Sequence, residues 1–578
     1  MSALSTEVSN PDAARRRTGL TLLAILAVAL ILRVWGVSWG LPLLFHNDEG
    51  LEVIRALQLG AGEFDLSRYF KGGYFYLLFI EYGGLYVVLR LLGIVASPAD
   101  LADYFVRDPT LFYLIGRTTT AVIGAATSYV IYRIGARGYS ARAGLWGAGL
   151  LAINVLHVKL SHLITVDVPM TFLALASLYF ATRMVTEDSE RNYLWAALFA
   201  ALSMTTKITA VVVLVPLLLA HFYYARTNQR PLRFYFLGAP LLRAGAVFVI
   251  AYLVTTPGIV AQFKGVIGWG IHLFVPAQGP DIATLAAPAV TSMEVEPDRP
   301  NLFAYYADVI LQSMAWPAFV LCLAGTAYAL WRRTPIDVIL LTFAVCFYLA
   351  MSLTSHDQLY YPRYILPVLP VLTLFGGRLI TAALSRLSNV QRPVIAALAI
   401  AGLAAIPTGQ IVQANVLMTR EDTRATAKRW IESNLPAGAK VLIEGTRTMV
   451  TEGTVPLQNS TENLQQQIDF YRSQEPGKSR YFTIVRKVQT GPTFDLVLVP
   501  GSEGIKDLGH YKSIGVEYFV LRPDAYRDTR RGAEWRELVA ALRDDKDARL
   551  IRRFAPDPAE TPGPMIEIYE VRQLPELP

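Results

Sequence analysis

The chain has 578 residues, of which 53% are hydrophobic and 17% charged, against roughly 25% charged in soluble chains. That excludes an ordinary soluble domain and fits a polytopic membrane protein with room for a further soluble unit. The net charge of +7 is what Lys/Arg-rich cytoplasmic loops produce, so no nucleic-acid partner is implied; the two cysteines, Cys322 and Cys346, sit in apolar runs and build neither a disulfide framework nor a cysteine metal site.

Residues 1–18 form a polar cytoplasmic tail containing Arg15-Arg16-Arg17. The apolar run from Leu20 to Trp35 has no small-x-small cleavage site behind it, so it reads as a retained first span with its N-terminus inside. The pentad Phe45-His46-Asn47-Asp48-Glu49 then falls just outside the membrane. Residues 72–96 are apolar but carry Glu81 and Arg90. If they crossed, Arg133, Arg137 and Arg142 would face outward. If they only lie in or re-enter the outer leaflet, those arginines and the later pairs Arg332-Arg333 and Arg386/Arg392 all face inward. The positive-inside rule selects the second arrangement. Residues 72–96 are therefore expected to be a juxtamembrane part of a first outer loop, 41–111.

Further spans are expected at 112–133, 143–163, 168–185, 193–206, 208–225, 238–260, 309–331, 336–354, 365–384 and 393–414. With the first, that makes about eleven, and it leaves the C-terminus outside. Residues 261–306 form a second long outer loop, and residues 19–414 form one transmembrane catalytic unit. Residues 415–578 hold no run long enough to span. Asp422–Asn434 and Trp535–Leu542 read as helices, and Lys440–Ile443, Leu496–Val499, Glu517–Leu521 and Met565–Val571 as strands. The expected fold class is thus an α-helical polytopic membrane protein plus a small C-terminal extracytoplasmic α/β domain.

On this topology the ionisable residues at outer ends of spans gather at one membrane face. They include Asp48, Glu49, Tyr69 and Lys71 from the first loop, Arg117, then His162 and Asp167, then Lys207, then Tyr361 and Arg363. Ionisable groups beside hydrocarbon are costly unless paired or in an aqueous cavity, so their convergence is a site hypothesis. Carboxylates with several cations suit an anionic lipid headgroup and a hydroxyl to be activated. A lipid phosphate leaving group needs cations to take up its charge, and the attacking hydroxyl needs a carboxylate base within reach. That combination describes glycosyl transfer from a lipid-phosphate sugar.

The ordered motifs Phe45-His46-x-Asp48-Glu49, Ser161-His162 with Asp167-Val168-Pro169, Thr205-Thr206-Lys207 and Tyr361-Pro362-Arg363-Tyr364 resemble the GT-C glycosyltransferases. The similarity is to the protein O-mannosyltransferase-like branch, with the aminoarabinose transferases as cousins. The resemblance implies that Asp48 is the catalytic acid-loop residue, that Asp167 is the second acid, and that Lys71 contacts the donor phosphate. It also implies a polyprenyl-phosphate sugar donor, an acceptor hydroxyl on protein, lipid or glycan, and a long first outer loop with juxtamembrane helices. Gly72-Gly73 and Asn47 depart from the family pattern, where proline is frequent at both places.

Blander readings stand beside these. Asp167 could cap a helix before Val168-Pro169. Glu49 could bind metal, orient Asp48 or only cap. Lys207 could hold two spans by a salt bridge, and Arg363 and Tyr361 could be interfacial anchors. His162 could be a structural hydrogen-bonder, and Arg117 could face a lipid phosphate or an aspartate. No cofactor is required, although a divalent cation could sit at Asp48 and Asp167. A transporter or flippase of lipid-linked sugars is the alternative, but it would place charged groups near the midplane on repeated halves.

Overall fold

The computed structural model describes residues 11–62, 72–187, 189–261, 300–354, 360–445, 454–499, 504–525 and 531–572. The membrane part is helical throughout, as it must be where no water can satisfy backbone N–H and C=O groups. In chain order its helices are α1 (Pro11–Val34), α2 (Asn47–Gly60), α3 (Gly73–Leu91), α4 (Pro98–Arg107), α5 (Thr110–Gly138), α6 (Ala141–Ala152), α7 (Val155–Leu160), α8 (Asp167–Met184), α9 (Glu190–Thr206), α10 (Leu214–Thr227), α11 (Leu232–Leu237), α12 (Ala239–Thr255), α13 (Gly258–Ala261), α14 (Leu302–Arg332), α15 (Pro335–Ser352), α16 (Leu369–Leu384) and α17 (Gln391–Met418). Short 3-10 turns, Ile208–Val213 and Pro362–Val368, lead into α10 and α16.

Among the described residues, eight helical stretches are long and apolar enough to cross a membrane, α3 among them. The contacts of α3 show how it lies. Tyr74 Oη donates to Gly116 O, Tyr82 Oη donates to Phe112 O, and Thr119 Oγ1 donates to Glu81. All three partners lie in the first third of α5, so α3 packs against that part of the helix. That third is the end of α5 nearest the candidate site below.

The bundle interior is built from α5, α6, α8, α14, α15 and α16, with Leu151, Leu175, Phe343, Phe347 and Phe375 fully buried. Helix α14 kinks at Ala315 (φ 59°, ψ 156°), two residues before Pro317, whose ring and missing N–H break the hydrogen-bond ladder. Two buried polar clusters tie the ends. Near the site, Arg33 of α1 donates to Ala152 O at 3.0 Å and Leu151 O at 3.2 Å, capping the carbonyl end of α6. At the opposite end, Arg378 and Tyr139 both donate to the fully buried Asp337.

After α17 the chain forms α18 (Thr423–Asn434), β1 (Lys440–Glu444), α19 (Thr461–Gln474), α20 (Pro476–Val488), β2 (Asp495–Val499), α21 (Leu508–Ser513), β3 (Tyr518–Leu521), α22 (Arg531–Asp544), β4 (Ala548–Phe554) and β5 (Ile566–Val571). The sheet order is β2-β1-β3-β5-β4, parallel through β3 and antiparallel beyond. Strand alternation sends Val441 and Ile443 to one core with Ile431 of α18, and Leu442 to the other with Trp535 of α22. This unit rests on the first loop of the membrane part. Lys487 of α20 pairs with Asp103 of α4. Arg424 of α18 lies over the Phe45 ring at 3.9 Å and donates to Phe45 O at 3.4 Å.

Candidate active site

Four charged side chains from distant parts of the sequence meet at one end of the bundle. Asp48 lies in the first turn of α2, where the helix dipole favours an acid, and its carboxylate pairs with Arg363. Arg363 Nε stands 3.9 Å from Asp167 Oδ2. Asp167 Oδ1 in turn accepts from Lys207 Nζ at 2.6 Å. The result is a ladder of alternating sign: Asp48, Arg363, Asp167, Lys207. Its acid side chains differ in access, Asp48 being 38% exposed and Asp167 3%.

The backbone explains why these residues can converge. Lys207 has extended angles (φ −153°, ψ 123°), so it interrupts the path from α9 into the 3-10 turn before α10. Arg363 is the second residue of the other 3-10 turn, which Pro362 opens after an extended Tyr361. Both cations therefore come from breaks between helices, the places where a polar side chain can leave the hydrocarbon and face a cavity. Asp167 begins α8 without capping it; its side chain is spent on Lys207 instead.

Two tyrosines complete the cluster. The Arg363 guanidinium lies over the Tyr361 ring at 4.5 Å, and Lys207 Nζ lies over the Tyr364 ring at 4.3 Å. Such contacts steady a cation without neutralising it. The sequence carries Tyr364 only as a member of the Tyr361-Pro362-Arg363-Tyr364 motif, with no role of its own. Its signal was the Tyr361-x-Arg363-Tyr364 spacing, which brackets the cation with rings.

Glu49, Arg117 and His162 are placed differently: all three are turned inward and no more than 1% exposed. Glu49 Oε1 accepts from Arg117 Nε at 2.8 Å and from the Ile164 backbone N–H at 2.9 Å, while Oε2 accepts from Arg117 Nη2 at 2.7 Å. Arg117 Nη1 also donates to Val37 O at 2.8 Å and Trp39 O at 2.7 Å. This bidentate pair clamps α2, α5, the loop after α1 and the loop before α8 into one frame. With four of its five N–H bonds so occupied, Arg117 has little left for a phosphate, and Glu49 has no face toward the ladder. His162 has its ring nitrogens 2.9 Å from Val158 O and 3.0 Å from Trp35 O. It bridges backbone rather than meeting the exposed acids. Tyr69 and Lys71 lie outside the described residues.

His46 sits beside the pair Asp48 and Glu49. Burial holds its imidazole below the usual 6.5, against the pull of Glu49 and Asp48 in the other direction. Its Nδ1 is buried without a hydrogen-bond partner.

The unusual Gly72-Gly73 pair has a steric cause. A Cβ on Gly73 would lie 2.2 Å from Thr206 Oγ1, and one on Gly72 would lie 1.5 Å from Thr255 O. Only glycine lets α3 start against the turn that carries Lys207.

As a cation site the ladder is already filled. Arg363 stands between Asp48 and Asp167, where a metal bridging the two carboxylates would have to sit. Among the described residues no three His, Cys, Asp or Glu side chains come together as a metal-binding group.

The sequence profile of the dolichyl-phosphate-mannose-protein mannosyltransferase family matches residues 114–258, a stretch holding Arg117, Asp167 and Lys207. The apo crystal structure of ArnT from Cupriavidus metallidurans is similar at a TM-score of 0.50 and 13% identity, over 96% of this chain and 98% of that one. The same protein bound to undecaprenyl phosphate aligns at a TM-score of 0.45 and 14% identity, over 97% and 98%. The archaeal oligosaccharyltransferase AglB from Archaeoglobus fulgidus, in complex with an inhibitory peptide and a dolichol-phosphate, aligns at 0.46 and 11%, over 98% of this chain and 75% of that one. No curated protein sequence matches the chain. The fold is thus of the GT-C type: a polytopic helical membrane unit followed by a small α/β domain.

Proposed function

We propose that the protein is an inverting membrane glycosyltransferase that moves a sugar from a polyprenyl-phosphate donor to an acceptor hydroxyl on the extracytoplasmic face. The observation that carries this reading is the ladder itself, which joins residues 48, 167, 207 and 363 at one end of the bundle. The mannosyltransferase profile over residues 114–258 supports the reaction class. Charge supports the choice of face: Arg137, Arg226 and Arg332 lie in the last turns of their helices, at the other end, and the positive-inside rule favours such an end as the cytoplasmic one.

In this reading the two cations exchange partners. In the structure Arg363 pairs with Asp48 and Lys207 with Asp167. The donor phosphate recruits both cations, which take up the charge that grows on the leaving phosphate oxygen. Asp48, the more exposed acid, is then released to accept the proton of the acceptor hydroxyl. The hydroxyl oxygen attacks the anomeric carbon from the face opposite the phosphate, and the carbon–oxygen bond to phosphate breaks. Polyprenyl phosphate departs, and the new glycosidic bond has inverted configuration. Asp167, which Lys207 and Arg363 both face in the structure, sets where the two cations stand.

The test is incubation of purified protein with a panel of polyprenyl-phosphate sugars and an acceptor extract, reading release of polyprenyl phosphate. Wild type should release it with at least one donor. Asp48→Asn should abolish release while retaining donor binding. Full activity in Asp48→Asn would remove the assignment of the base.

A further inference from the structure

A second group of polar side chains lies far from the ladder. Arg133 is sixteen residues beyond Arg117 on α5, about 24 Å along the helix axis at 1.5 Å per residue. Tyr179 is twelve residues beyond Asp167 on α8, about 18 Å by the same rise. Both therefore lie toward the membrane end opposite the candidate active site. Between α5, α8 and α9 runs a groove of about 320 Å³, lined by Tyr129, Arg133, Tyr179, Phe180, Trp195 and Phe199 among others.

One wall of the groove is a run of nearly parallel rings. Phe180 and Phe199 stack at 5.8 Å with an 8° interplanar angle, and Trp195 stacks on both at 6.1 and 6.0 Å. This wall faces outward, Trp195 being 47% exposed. A flat apolar wall suits an extended hydrocarbon chain.

The rim has the opposite character. Arg133 donates to Tyr129 Oη at 2.7 Å and to Tyr179 Oη at 2.9 Å, with its guanidinium over both rings at 5.6 and 5.4 Å. Because both hydroxyls accept from Arg133, their own protons are left to donate outward, and three guanidinium N–H bonds remain as well. Each of these groups has at least one proton left to donate outward. Among the described residues no carboxylate pairs with Arg133; Glu187 is taken by Arg137 and Arg183. Arg133 is exposed at this end of the bundle, so the remaining donors are open to an anion that lies beside the apolar wall.

We propose that this groove binds one anionic glycerophospholipid of the leaflet opposite the active site. Its phosphate is held by Arg133, Tyr129 and Tyr179, and one acyl chain lies along Phe180, Trp195 and Phe199. A free inorganic anion would satisfy the rim but leave the aromatic wall bare, so the lipid is the occupant the whole groove fits. Basic pockets between transmembrane helices recognise anionic headgroups by the same physics.

The experiment is native mass spectrometry of the full chain released from nanodiscs holding equal phosphatidylglycerol and phosphatidylcholine. Wild type should retain one phosphatidylglycerol in preference to phosphatidylcholine by about fivefold, the size expected for one basic contact. Arg133→Gln should lose the preference. Tyr129→Phe/Tyr179→Phe, which keeps the rings and should fold as wild type, should cut retention severalfold. Equal retention of the two lipids, unchanged retention in both variants, or displacement of the lipid by millimolar inorganic phosphate would overturn the proposal. None of these readouts depends on glycosyl transfer.

Discussion

Replacing Glu49 with Gln separates a framework role from a chemical one. Glu49 accepts three hydrogen bonds, two from Arg117 and one from the Ile164 N–H. Glutamine turns one of those acceptors into an NH2 donor that faces Arg117, and it leaves the guanidinium buried without a counter-charge. Removing one partner of a buried ion pair costs about 3–5 kcal/mol. Since about 1.4 kcal/mol is tenfold in an equilibrium, the lower figure already lowers the folded-to-unfolded ratio by roughly a hundredfold, a large share of a typical stability. The assay is unfolding of the detergent-solubilised protein at fixed temperature, followed with a thiol-reactive dye. Cys322 is buried, so its thiol becomes reactive only as the bundle opens, and its labelling is the signal followed. Glu49→Gln should unfold much faster than wild type. Glu49→Gln/Arg117→Met should recover part of the loss, because removing both charges is far cheaper than stranding one; recovery stays partial because Val37 O and Trp39 O lose their donor. A Glu49→Gln protein that unfolds at the wild-type rate yet has lost transfer would refute the reasoning and move Glu49 into the chemistry.

Three further outcomes follow from the same geometry. Gly73→Ala should destabilise the protein by about 1–3 kcal/mol as an overpacked contact, and adding Thr206→Ala, which removes the clashing Oγ1, should restore most of the melting temperature; no rescue would mean the contact is not the cause. His46 has a folded pKa below its unfolded value because of burial, so its neutral form is favoured by folding. Its contribution to stability is therefore intact above pH 6.5 and is lost as pH falls from there through the folded pKa. His46→Gln should flatten that part of a melting-temperature profile, and an unchanged profile would assign the acid limb elsewhere. Arg424→Ala should lower turnover more than donor affinity, because it frees the Phe45 backbone three residues before Asp48; Arg424→Lys should restore activity only in part, and full activity in Arg424→Ala would show that the contact does not set the loop.

Asp48, Asp167, Lys207, Arg363 and Tyr361 were legible in the sequence for one reason. Each stands at the end of an apolar run, and the charge pattern of the loops puts all those ends on one face. What patterning does not give is direction. Asp48 and Glu49 are neighbours, yet one helical step of 100° sends the first to the ladder and the second into the interior. Arg117 and His162 occupy the same level but point into the frame, which only the packing of α5 against the neighbouring loops decides. In the soluble unit, β1, β2, β3 and β5 show apolar residues and are visible in the sequence. Strand β4, Ala548–Phe554, was not, because as an edge strand it exposes Arg549, Arg552 and Arg553. Charged edges are how sheets avoid pairing with other chains, and the same charges hide the strand from a search for apolar alternation. Helices α19 and α20 pack mainly on each other, through Leu464, Ile468, Tyr471 and Phe482, and their short apolar stripes escaped notice too.

The contact between Arg424 and Phe45 bears on how the molecule can be divided. Only three residues separate the end of α17 at Met418 from Asp422, whose carboxylate holds the Arg424 guanidinium at 2.7 Å through both oxygens. The soluble unit thus begins by gripping the loop that leads to the candidate catalytic acid. A chain cut after α17 would bare Phe45 and Trp39 to water and leave the approach to Asp48 without its seat. Silence from such a truncated protein would report a broken hinge, and only point changes in the distal sheet, with Arg424 left in place, can ask what the rest of that unit is for.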